Sequence, residues 1–151
     1  MEREGADHAT PATHGTAPVR RIRPDEHSRL RLEERRREVV DAVAQGDANV
    51  IVVAYLELAR AHIDAHELGA ATSALEHGVE ILGSPSAPSW RLLLTLAGLY
   101  DAGGDRARAR SATRTAREQA VVSGSTVGRR RADALLARLS RPRQTARRPP
   151  W

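Results

Sequence analysis

From residue 24 to residue 140 the large apolar residues recur three or four positions apart, in runs interrupted by glycine, proline and serine. That spacing puts them on one face of a helix. Pro24-Asp25-Glu26 has the form of a helix start, with proline early and acids near the positive end of the dipole. The pattern predicts a helix over 25–45 with Leu32, Val39, Val40 and Val43 inward, ended by Gly46. A second helix is expected over 49–65, with Val52, Tyr55, Leu56, Ala59 and Ile63 inward. Residues 50–53 alone have strand propensity, but the spacing beyond them is helical. A third helix spans 68–82, with Ala71, Leu75, Val79 and Leu82 inward and Gly83 closing it.

Ser84-Pro85-Ser86-Ala87-Pro88 reads as a loop. Ser89 is then an expected N-cap for a helix over 90–102. Gly103-Gly104 breaks that helix, and Asp105 caps the next, which runs to about Val122. After the Ser123-Gly124-Ser125 joint, a last helix is expected over 126–139, with Val127, Ala134, Leu135 and Leu139 on its apolar face. Six helices joined by short connections define an all-α domain of antiparallel hairpins over 24–140. Residues 1–23 have no period and few large apolar groups, so a disordered arm is expected there. Residues 141–151 form a basic, proline-rich tail ending Pro149-Pro150-Trp151.

Superimposed on the helical pattern is a repeat. Leu58-Ala59-Arg60-Ala61-His62 returns 38 residues later as Leu96-Ala97-Gly98-Leu99-Tyr100. The same offset relates Ala71-Thr72-Ser73-Ala74 to Ala109-Arg110-Ser111-Ala112, and Glu80 to Glu118. A fixed period of this size marks stacked helical units, which usually bind other molecules rather than transform them.

The two units, about 52–85 and 90–122, resemble tetratricopeptide (TPR) repeats, with 25–45 and 126–139 as flanking helices. The family's large, small and aromatic positions fall on Tyr55, Leu58, Ala59, His62, Ala71, Leu75 and Gly78, then on Leu93, Leu96, Ala97, Tyr100, Ala109, Thr113 and Ala116. The Tyr100-Asp101-Ala102-Gly103-Gly104-Asp105 stretch is similar to the family's turn. His62 and Thr113 depart from the pattern, and the Ser84–Pro88 loop makes the unit about four residues longer than the family's 34. The resemblance implies a short right-handed TPR-like solenoid, whose first helices line a concave groove. By position, the groove would carry Val53, Leu56, Arg60, Ile63 and Asp64 from the first unit. From the second it would carry Arg91, Leu94, Gly98, Asp101 and Ala102. Arg60 and Arg91 would then hold a carboxylate bidentately.

Charge adds a second theme. All 24 basic residues of this 151-residue chain are arginine, and phenylalanine is absent. The arginine and alanine excess reads as the codon bias of a GC-rich, bacterial genome. Residues 38–80 hold one Arg against eight acids, net −7, whereas residues 81–151 hold fourteen Arg against four acids, net +10. Such asymmetry favours head-to-tail contact between copies. Arg106, Arg110, Arg114 and Arg117 share one helix face, with which nucleic-acid phosphates could pair.

The chain has no Cys and shows neither a glycine-rich phosphate loop with Lys nor a nucleophile elbow, so no enzyme and no cofactor are expected. His62 and His66 stand at i and i+4, but a packing role is expected, with no metal. No run approaches a membrane span and no secretory signal is evident, which places the expected location in the cytoplasm. The expected function is a non-catalytic adaptor holding a peptide or protein segment in the groove. The alternatives are a self-assembling scaffold built on charge asymmetry, and a nucleic-acid accessory protein.

Overall fold

A computed structural model describes residues 24–83 and 88–141. The expected arm at 1–23, the tail beyond Arg141 and most of the 84–88 loop lie outside the described residues. The rest is all-α: α1 (Pro24–Gln45), α2 (Ala48–Asp64), α3 (Leu68–Leu82), α4 (Trp90–Ala102), α5 (Arg106–Val122) and α6 (Thr126–Ser140), with no strand among the described residues. No described helix is long and apolar enough to cross a membrane.

Local chemistry sets the helix ends. Gly46, at φ +75°, turns the chain out of α1. The Asp47 carboxylate then accepts the Asn49 and Val50 amides at 2.8 and 3.3 Å, satisfying free donors at the start of α2. Asp105 accepts the Arg108 amide at 2.9 Å, and Ser125 accepts that of Gly128 at 3.1 Å. The expected cap at Ser89 is not formed. Its backbone is already helical, and its hydroxyl donates instead to the Gln119 carboxamide of α5. A long-range partner has taken the side chain that the local pattern assigns to the helix start.

Consecutive helices pack on one another, and pairs such as Arg31–Asp64, Ser89–Gln119 and Arg110–Leu139 show them running antiparallel. Beyond these neighbours, α2 touches α4 and α4 touches α6, whereas α1, α3 and α5 do not touch one another. The even-numbered helices therefore converge into one row and the odd-numbered ones stand apart. Small residues allow the close approach: Ala59, Ala71, Ala97 and Ala109 are fully buried. At Gly78 a Cβ would lie 2.8 Å from the Tyr55 ring, and at Gly128 it would lie 2.8 Å from the Ala120 methyl. Each glycine thus marks a backbone pressed against a neighbouring helix.

Leu32, Val39, Ile51, Val52, Tyr55, Leu58, Leu75, Leu92 and Leu96 form the main core. Thr113, at a position where the repeat pattern has a large apolar residue, is fully buried and donates to the Ala109 carbonyl at 2.6 Å. Its hydroxyl is satisfied within its own helix.

Four inward assignments are corrected. Val40 is 66% exposed, Val43 37% and Val127 54%, and Ala134 is also exposed. In α1 the buried stripe is Leu32, Val39 and Ala42, because an end helix packed only on α2 needs one narrow face. In α6 it is Gly128, Ala132 and Leu139, with Leu135 and Leu136 half-buried. Small residues win there because α6 seats closely against α5 and Trp90.

Candidate functional site

The row of even-numbered helices encloses a groove of about 330 Å³. Its walls are Leu56 from α2, Trp90, Arg91, Leu94 and Thr95 from α4, and Arg131 and Leu135 from α6. Helical spacing explains the α4 wall, since Trp90, Arg91, Leu94 and Thr95 fall at i, i+1, i+4 and i+5 and share one face. The Thr95 hydroxyl donates to the Arg91 carbonyl at 3.1 Å. Gly128 lets α6 approach the Trp90 indole and so closes the third side. Three leucines and an indole thus sit beside two guanidinium groups, and neither Arg91 nor Arg131 forms an ion pair with a described residue. A planar guanidinium over apolar surface suits a carboxylate that arrives next to a large apolar side chain.

Of the positions expected in the groove, Leu56, Arg91 and Leu94 come together there. Val53 turns toward α1, beside Glu38 and Asp41. Arg60 is exposed and lines no part of the groove. Ile63 is half-buried against the core. Asp64 faces α1, 3.7 Å from the Arg31 guanidinium. Gly98 has open space beside it, and Ala102 is exposed. Asp101 is held by α6, accepting from Arg138 at 3.2 Å, with Arg106 at 3.8 Å.

Trp90, Thr95, Arg131 and Leu135 were not expected in the groove. Leu135 carried a signal as part of the apolar face of α6, whereas Arg131 is one of three consecutive arginines, Arg129-Arg130-Arg131, and nothing local singles it out. What was missing was the return of α6 onto α4, a long-range contact.

The expected basic face of α5 is largely engaged within the molecule. Arg110 donates to the Leu139 carbonyl at 2.8 Å, occupying an acceptor at the end of α6. Arg117 donates to Asp133 at 2.6 Å. Arg106 lies beside Asp101, and Arg108 stacks 5.2 Å from the centre of the Tyr100 ring. Arg114 projects outward. Three members of the face therefore fasten α5 to α6 and α4.

His62 is 4% exposed and bonds Glu67 through Nδ1 at 2.8 Å, while His66 is exposed at the turn with φ +61°. Tyr55 bonds His77 at 3.0 Å, and burial raises its phenol pKa. Tyr100 donates to Glu76. Burial first, then that bond and the carboxylate's charge, pushes its phenol up to about 12.

A larger opening, about 600 Å³, lies between α1 and α3 with Tyr55, Leu58 and His62 at its base, but Arg36 is its sole guanidinium among the described residues. The three-helix groove has the richer chemistry. No protein-family model, no curated protein and no solved structure matches the chain.

Proposed function

We propose that this chain is a non-catalytic binding module of tetratricopeptide type. It takes an extended peptide segment in the groove between α2, α4 and α6. The observation that carries this reading is the pair Arg91 and Arg131, set among Leu56, Leu94, Leu135 and Trp90 without an acidic partner among the described residues. The repeat-type reading draws support from the convergence of the even-numbered helices and from fully buried alanines at Ala59, Ala71, Ala97 and Ala109. The partner segment presents a carboxylate beside a large apolar residue. The adaptor reading is favoured over nucleic-acid binding because Arg110 and Arg117 are already engaged with α6.

Selection of a displayed random-peptide library against the full chain tests the proposal. The expected consensus is Asp or Glu within a few residues of Leu, Phe or Trp. Hydrogen bonds to charged groups contribute about 1.5–3 kcal/mol. Each of Arg91→Ala and Arg131→Ala should therefore weaken a selected peptide by about tenfold or more. Thermal stability should be unchanged, since neither guanidinium has a described ion partner to lose. A library that enriches no acidic–apolar sequence, or variants that bind it normally, would overturn the groove assignment.

A further inference from the structure

The row of even-numbered helices has two open ends. α4 touches α2 on one side and α6 on the other, so one flank of α2 and one flank of α6 meet no even-numbered neighbour. The free flank of α2 forms, with α1, a groove of about 300 Å³ whose lining includes Glu38, Ala42, Val50, Val53, Ala54 and Glu57. Its floor is small and aliphatic, and Val50 and Val53 remain 41% and 47% exposed. Among the described residues Arg35 is its sole guanidinium, and Glu38 holds it at 2.6 Å. Asp41 also lines the groove but has Arg36 and Arg37 beside it. The charge left over is that of Glu57, which is half-buried and forms no ion pair with a described residue.

The free flank of α6 has the complementary chemistry. Val127, Arg130, Ala134 and Ala137 fall at i, i+3, i+7 and i+10, share the face turned away from the core, and are all exposed. That face holds a cation, small apolar residues and no acid. Val50, Val53 and Glu57 of α2 repeat its spacing at i, i+3 and i+7. We infer that the chain stacks head to tail. The outer face of α6 of one copy lies in the α1–α2 groove of the next, parallel to α2, and carries the row of even-numbered helices across the junction. With Val127 level with Val50, Ala134 is level with Glu57, and Arg130 stands about 6 Å along the axis from that carboxylate, within its side chain's reach. A half-buried carboxylate without a partner favours an incoming guanidinium. The two surfaces differ, so the contact does not close on itself and the stack grows. None of these residues lines the groove between α2, α4 and α6.

Sedimentation of the full chain over a concentration series tests the inference. The mean mass should rise steadily with concentration, past two copies of the 16.4 kDa chain. Val53→Arg gives Glu57 a cation from its own helix and sets a guanidinium against the incoming Arg130, so it blocks the groove. Ala134→Arg blocks the face of α6. Each variant alone should stay monomeric. Both positions are exposed, so each should melt like the parent, followed by circular dichroism. Mixed in equal amounts, the two variants should form a species of about twice the 16.4 kDa and nothing larger, because one intact groove then meets one intact α6 face. Arg91→Ala should stack like the parent, which keeps this test apart from that of the peptide groove.

A parent chain that stays monomeric at about 100 µM would overturn the inference. So would a parent that stops at two copies, a single variant that stacks normally, or a mixture of the two variants that remains monomeric.

Discussion

Replacing two glycines by alanine should shift stability in opposite directions, and the difference measures how firmly α6 is seated. Gly98 lies inside α4 and Gly128 in the first turn of α6. Within a helix interior alanine is favoured over glycine by about 1 kcal/mol. A Cβ at Gly98 would meet no atom within 4 Å, so Gly98→Ala should stabilise the chain by about 0.5–1 kcal/mol. At Gly128 the new Cβ would stand 2.8 Å from the Ala120 methyl and 2.9 Å from Cδ2 of Trp90. The Ala120 methyl has no rotamer by which to move aside, so α6 must back away from α4 and α5. Overpacking of this kind costs about 1–3 kcal/mol, more than the helix preference returns. The expected net loss is about 1 kcal/mol, which separates the two variants by about 2 kcal/mol. Urea unfolding followed by circular dichroism resolves a gap of that size from the midpoints, provided the slopes agree. If Gly128→Ala stabilises as much as Gly98→Ala, then α6 does not rest on Trp90 and Ala120, and the groove loses its third wall.

Leu75 is fully buried, and Leu75→Ala should cost about 2–5 kcal/mol in the same assay, with the upper half expected if the cavity stays open. Arg117→Ala should cost under about 1 kcal/mol despite a 2.6 Å contact, because both partners are about half exposed to solvent. Asp105→Ala removes the acceptor of the Arg108 amide and should cost about 1 kcal/mol, an effect that Asp105→Asn should largely avoid. The phenols of Tyr55 and Tyr100 are both raised, Tyr100 to about 12, so absorbance titration of the folded protein should show them ionising above the usual 10. The unfolded chain ionises its tyrosines first, so their contribution is complete below pH 10 and falls away as pH rises toward 12. Stability that held constant across that interval would refute the burial and Glu76 bond assigned to Tyr100.

Much of the helical layout was legible along the chain because the signals are local. Glycine at 46, 83 and 104 takes positive φ where the pattern ends a helix, and Asp105 caps the helix that follows it as expected, while the caps at Asp47 and Ser125 emerged only with the structure. Ser89 shows where such reading stops. Its type and position suit a cap, yet Gln119, thirty residues on, claims the hydroxyl. Val40 and Val43 show the same limit for burial. Their spacing is compatible with an inward face, but α1 has only α2 to cover it.

The groove was half legible. Leu56, Arg91 and Leu94 follow from position within the repeat, while Arg60 and Gly98 lie away from its lining and Asp64 and Asp101 are turned to arginines of α1, α5 and α6.

The order of apolar and breaking residues by itself determined an all-α chain of six helices with their ends in place, because helix formation and capping depend on residues within a few positions of one another. Which stripe of α1 is buried was decided by its one neighbour, α2, while the stripe of α6, the arginines that are engaged and the side chains that wall the groove were decided when α6 returned onto α4 and α5. Those outcomes depend on contacts between helices, such as Arg117 with Asp133 and Arg138 with Asp101, and no local pattern encodes which of several compatible faces will meet.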